Sequence, residues 1–235
     1  MADESICGGD QMFERYAVFF TPIGPLTAWG SAWLGWDSAK GRCVPNPNGT
    51  GVDLAWITAA PRQYGLHATL KAPFRLAQGA SLEQLQQAAT KFASQYAAFD
   101  IGAMELRHDS GFVALRPKST PKKLHDFAAS TVKAFDPFRA PLTDTDITHR
   151  RKALMTARQD QQMLDWGYPF IFDDFHFHLT LSGSLPQPQA AAVIAALTPD
   201  LEPMMPTPFV IDAITLMGQD SDGMFHQIHR HALTG

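Results

Sequence analysis

The stretch GLHATLKAPF, residues 65–74, alternates along its whole length and reads as one β-strand with two unlike faces. Leu66, Ala68, Leu70, Ala72 and Phe74 would point to a core, whereas His67, Thr69, Lys71 and Pro73 would point the other way. A second stretch, FHFHLTLSG at residues 175–183, repeats the pattern. Phe175, Phe177, Leu179 and Leu181 take the apolar face there, and His176, His178, Thr180 and Ser182 take the polar one. Composition alone yields roughly 0.6 His-x-Thr triplets in a chain with this content, so the triplets by themselves carry little weight. Their context carries more. Both are followed by Leu, both are read as mid-strand, and each precedes an Ala-rich amphipathic segment, 81–99 and 187–197.

Around these strands the order of elements mixes strands and helices without βαβα alternation, which predicts an α+β fold with antiparallel sheet. RYAVFF (15–20) is an aromatic, β-branched first strand closed by Pro and Gly. Ser81 is a candidate N-cap for the helix that follows the first His-x-Thr strand. Two short strands flank HDSG (108–111) as a hairpin. A helix follows with Pro121 in its first turn, and a polar segment, 147–167, is read as one further helix ending at Gly167. Two strand-like segments close the chain.

The whole sequence sets outer bounds. With 235 residues, 45% hydrophobic and 18% charged, the composition is that of an ordinary globular protein able to bury a core without metals or disulfides. Two cysteines, Cys7 and Cys43, offer no disulfide framework, which fits a reducing cytoplasm. The acidic first twelve residues do not resemble a signal peptide and are expected to be a disordered tail, leaving 13–235 as a single domain. No apolar run approaches the roughly 20 residues that cross a bilayer, so no membrane partner is expected. A net charge of -4 argues against wrapping a long nucleic acid, and a monomer is expected. A small anionic substrate fits, since it needs only a local cluster of positive charge.

The His and Thr pairs suit one chemistry. A neutral imidazole can take a proton from water while a second, protonated one gives a proton to a leaving alkoxide. A Thr hydroxyl two residues on can donate to a phosphate oxygen. Two half-buried strands that merely show polar faces to water are the plainer reading of the same pattern.

HATL and HLTL resemble the two signature motifs of the 2H phosphoesterase superfamily. RYAVFF, WLGWD, YGLHATLKAPF, DPFRAPL, WGYPFIFDDFHFHLTLSG and a late GQ resemble more closely one of its branches, the phosphonate-associated family known as domain of unknown function 1045. The resemblance runs from about Arg15 to the C-terminus. It implies a bilobal fold with pseudo-twofold symmetry: two antiparallel sheets around a central cleft, helices outside, one His-x-Thr strand per lobe. It implies a hydrolase opening a small cyclic phosphodiester, a sugar or nucleoside cyclic phosphate, with His67 and His178 as acid and base and Thr69 and Thr180 on the phosphoryl oxygens. The chain departs from the branch at Ser182, where Thr is usual, and at His176, where Arg is common. A non-catalytic module binding a nucleotide or sugar phosphate in the same cleft is the alternative.

Further candidates surround this core set. Lys71 could supply a fixed charge to the phosphate, and Tyr16 and Tyr168 could each present a phenol to the cleft. Arg139 and the Arg150-Arg151 pair are candidate phosphate-side groups, with a solvated helix face the commoner reading of the pair. Asp173, Asp174, His176 and His178 resemble a metal-ligand set, but the opening strand has no equivalents, so no metal and no cofactor is expected. HQIHRH (226–231) reads as a polar strand end.

Overall fold

The structure, a computed structural model, describes residues 13–151 and 153–235. The expected tail of residues 1–12 lies outside them. Two antiparallel sheets organise the fold. The first has four strands in the order β7-β6-β1-β2, with β1 Arg15–Phe20, β2 Ala68–Phe74, β6 Ala213–Gln219 and β7 Phe225–Ala232. The second has three in the order β3-β4-β5, with β3 Met104–Asp109, β4 Phe112–Pro117 and β5 Leu179–Ser184. Each His-x-Thr strand is therefore the edge strand of its own sheet, and each leads into a helix, α2 (Leu82–Ala93) after β2 and α6 (Gln187–Leu201) after β5.

Local signals set most boundaries. Ser81 and Gln84 form a reciprocal capping box that starts α2. The hairpin at HDSG turns through Ser110 and Gly111, both at positive φ (56° and 85°), the backbone of a two-residue turn that follows strand twist. The segment read as one helix over 147–167 is two, α4 (Asp144–Arg150) and α5 (Ala157–Trp166). Thr156 accepts a hydrogen bond from the backbone N–H of Gln159, and the Gln159 side chain caps Thr156 in return, so a fresh helix begins there.

One apolar core runs through both sheets. Val18, Phe20 and Leu70 from the first join Val113, Leu115, Leu179 and Leu181 from the second, together with Leu85 and Phe92 of α2 and Leu124 and Phe127 of α3 (Lys122–Phe135). The opposite face of the first sheet carries a smaller cluster, Ala17, Phe19, Met217 and Phe225, with Tyr64 packed on it. Strand β1 is apolar on both faces for that reason: one face builds the core, the other backs His67.

Strict alternation fails inside β2. Phe19 faces Thr69 across the ladder, yet Val18 faces Lys71, so Leu70 is an extra residue in a β-bulge. The bulge turns Lys71 from the Thr69 face to the Val18 face, the core side. Lys71 is 3% exposed and its Nζ donates to Asp136 Oδ1 at 2.7 Å. The expected phosphate-side lysine is thus a buried partner of Asp136, at the end of α3.

Candidate active site

Both histidines stand at the entrance of an edge strand rather than in mid-strand. His67 immediately precedes β2 and His178 immediately precedes β5. That position gives each the same local bond. His67 Nδ1 lies 2.9 Å from the carbonyl of Gly65, and His178 Nδ1 lies 2.7 Å from the carbonyl of His176, two residues back in each case. A carbonyl can only accept, so Nδ1 carries the proton in both rings and the free lone pair of each neutral imidazole is on Nε2. Thr69 Oγ1 lies 3.2 Å from His67 Nε2 and can donate to it. The backbone thus fixes the same tautomer twice, once per lobe.

The two imidazoles line one cleft of about 760 Å³, together with Thr69, Thr180, Tyr64 and Tyr168. His67 packs against Phe19, ring centroids 4.0 Å apart and planes tilted by 30°, and against Tyr64 at 5.3 Å. That burial lowers its pKa to about 4, against the opposing effect of the Gly65 hydrogen bond and with a further lowering from the charge of His178. His178 is also lowered, first by burial, then by Arg116, while its own backbone bond and Asp109 act against that. Arg116, on β4 next to the Leu115–Leu179 pair, puts a positive charge near His178 and is itself paired with Asp109.

Other expected site residues fall in three groups. Ser182 is on the cleft wall, but its hydroxyl accepts from Val113 N and donates to Gly183 O, which closes the irregular β4–β5 register. Tyr168 lines the cleft beside Arg150. Tyr16 does not: opposite Phe74 and Gly218 in the ladder, it is 7% exposed and part of the main core, because its side chain follows Val18 and Phe20 inward. Its phenol is raised by burial.

Arg139 is engaged by Asp136 and by the carbonyls of Ala140 and Asp165, and Arg151 pairs with Asp160 on the surface. Asp174, one of the four residues in the resemblance of 173–178 to a metal site, receives Arg158, Gln159 and Gln162. Among the described residues no three His, Cys, Asp or Glu side chains converge as metal ligands. His226 bonds Asp220 and His231 bonds Thr90, so the C-terminal histidines go to separate partners.

Sequence reading did not single out Tyr64, Arg15 or Phe112 as cleft residues. Tyr64 alone had a local signal, three positions before His67 across the positive-φ Gly65 (70°) that turns the chain into β2.

Histidines held neutral by the fold have a pH signature. An unfolded chain binds protons at about 6.5 that the folded His67 and His231 refuse until about 4. Stability is therefore expected to fall as pH drops through this interval, since the unfolded state takes up the extra protons. Urea midpoints at pH 7.5, 6 and 5 should decrease in that order; equal midpoints would contradict the burial of these rings.

Comparison with known proteins places the chain among relatives. The family described as "Protein of unknown function (DUF1045)" matches residues 69–226. A protein named ribose 1,5-bisphosphate phosphokinase PhnN from Janthinobacterium sp. (strain Marseille) is 35% identical over 218 residues, covering 89% of this chain and 48% of the relative. Its namesake from Laribacter hongkongensis (strain HLHK9) is 35% identical over 173 residues, 73% of this chain and 40% of that protein. The chain spans about half the length or less of these curated relatives, and it contains no Gly-Lys dipeptide on which a Walker-type phosphate loop could be built. Among solved structures, one described as a phosphoesterase aligns at TM-score 0.43 and 16% identity over 94% of this chain and 99% of the other. E. coli LigT complexed with 3'-AMP aligns at 0.43 and 15% over 95% and 100%. At that level of overlap neither likeness carries chemistry over. The family match over two thirds of the sequence, which starts at Thr69 within β2 and takes in all of β5, is of a different order, and the chain belongs to the DUF1045 family of proteins of unknown function.

Proposed function

We propose that this chain is a 2H-type phosphoesterase that opens a small cyclic phosphodiester with water, using His67 and His178 as the acid–base pair. The observation that supports this best is the repeated device at the two strand entrances: an imidazole held through Nδ1–H by the carbonyl two residues back, with a Thr two residues on, both lining one cleft. A solvent-facing strand has no need to fix the same tautomer twice.

The roles follow from the surroundings. His67 is the more strongly depressed, stacked on Phe19 with a hydroxyl on its Nε2, so it stays neutral and acts as base. Its Nε2 takes a proton from the attacking water as the water oxygen bonds to phosphorus. The P–O bond to one sugar oxygen breaks, and protonated His178 gives that oxygen the Nε2 proton, leaving a phosphate monoester. Thr69 and Thr180 hydroxyls donate to non-bridging oxygens; Thr69 swings from His67 to the phosphate as substrate enters. The name of the curated relatives speaks of a phosphorylated ribose, which favours a pentose cyclic phosphate and a place in phosphonate metabolism. A cytoplasmic setting accords with the cysteine content, and no helix among the described residues is long and apolar enough to cross a membrane.

Because both free-state pKa values lie below the ordinary value, kcat/KM for a cyclic phosphate should peak on the acid side of pH 6.5. The anionic substrate should move the acid limb of kcat upward, since it favours protonated His178. Activity should persist in EDTA. A kcat/KM that rises steadily beyond pH 8, or loss of turnover on chelation, would speak against two-histidine catalysis.

A further inference from the structure

Away from the histidines the cleft has a second chemically distinct end. Arg15, Asp146 and Arg150 line both the cleft and the small cavity that adjoins it, and none of His67, Thr69, His178 or Thr180 lines that cavity. Among the described residues the Arg150 guanidinium makes no hydrogen bond or ion pair, although the residue is half-buried. Burial lowers its pKa; Tyr168 and Asp146 act against that, and the charge of Arg15 adds a further lowering. The one carboxylate in the neighbourhood, Asp146, is occupied: its Oδ2 accepts from Arg75 at 2.9 Å, from the Thr143 hydroxyl at 2.7 Å and from Thr143 N. The half-buried Arg150 guanidinium, with no hydrogen-bonded acid of its own, and Arg15, whose Nε donates to Gln219 Oε1, put two positive charges on this end of the cleft, a setting that suits an anion.

Tyr64 joins the two ends. Its ring lies against His67 at 5.3 Å, and its phenol is within electrostatic reach of Arg150, as is that of Tyr168, whose ring lies 5.9 Å from the Arg150 guanidinium.

We infer that Arg150, with Arg15, is the subsite for a second anionic group, so that the substrate is a bis-anion: a pentose whose cyclic phosphodiester sits between the histidines and whose separate phosphate monoester sits on Arg150. This rests on the phosphoesterase reading of the cleft, but its test does not require turnover.

Adenosine 2',5'-bisphosphate and adenosine 2'-monophosphate are titrated into the full chain by calorimetry. The bisphosphate should bind at least about tenfold more tightly, the scale of one charge-assisted hydrogen-bonded contact. In Arg150→Gln that ratio should collapse toward one, and Arg150→Lys, which keeps the charge without the bidentate fork, should restore part of it. Circular dichroism melting of each variant controls for folding. Equal affinity of the two ligands for the unmodified chain, no binding of either, or an unchanged ratio in Arg150→Gln overturns the second subsite. If the ratio behaves as expected while His67→Ala and His178→Ala keep full turnover, the subsite stands and the catalytic assignment falls.

Discussion

Replacing His67 or His178 by alanine is expected to lower turnover of a cyclic phosphodiester by about 10² to 10⁴, the usual contribution of a positioned acid or base. The loss should appear in kcat. Each ring is only partly buried, and each is tethered chiefly to a backbone carbonyl of its own segment, so the fold should survive. The double variant should be little worse than the poorer single one, because acid and base act in one step. His67→Gln is a useful companion: it keeps a polar side chain near Gly65 O but offers no basic nitrogen, and it should be as inactive as alanine. Full activity in either alanine variant would remove that residue from the chemistry.

Asp136→Ala should be the most destabilising single change away from the core's large apolar residues, by about 3 kcal/mol. Asp136 accepts from Lys71 Nζ and from Arg139 Nε, both through Oδ1, so its removal strands a 3%-exposed ammonium next to a guanidinium. Burial pushes the Asp136 carboxyl up, but hydrogen bonds and charge from Arg139 and Lys71 outweigh it and hold the carboxyl below its usual value. That contribution is present above the unfolded carboxylate value and is lost as pH falls through the lower folded one. Asp136→Asn should cost less, as its amide oxygen still accepts. Chemical unfolding of the three forms at pH 7 reads this directly; a difference under about 0.5 kcal/mol for Asp136→Ala would place Lys71 in a wetter setting than the one seen here.

Period-2 patterning was enough to find both edge strands, because the faces of HATL and HLTL differ so sharply in polarity. It could not find the bulge at Leu70. A bulge leaves the alternation of residue types intact while turning one side chain over, and only pairing with Val18 and Phe19 reveals it. Lys71 was misplaced for that reason alone. Tyr16 was ambiguous from the start, since β1 is apolar on both faces and nothing local says which of the two clusters Tyr16 joins. Arg150 was hidden differently. It reaches the cleft from α4, in the long connection from β4 to β5, and the solvated-face reading suited its neighbour Arg151, which does pair on the surface with Asp160. The tautomer-fixing bonds to Gly65 and His176 were also out of reach of pattern, because they depend on the histidines preceding the strands instead of lying within them.

The central claim is that two imidazoles, one from each sheet, open a cyclic phosphate with water. The most direct measurement is phosphorus NMR of a ribose cyclic phosphate incubated with the chain in ¹⁸O-labelled water, alongside His67→Ala and His178→Ala. Ring opening to a monoester carrying a single ¹⁸O on phosphorus, lost in both variants, is the predicted result. Tight binding of the cyclic phosphate with no ring opening, or opening that proceeds equally in the variants, would contradict it.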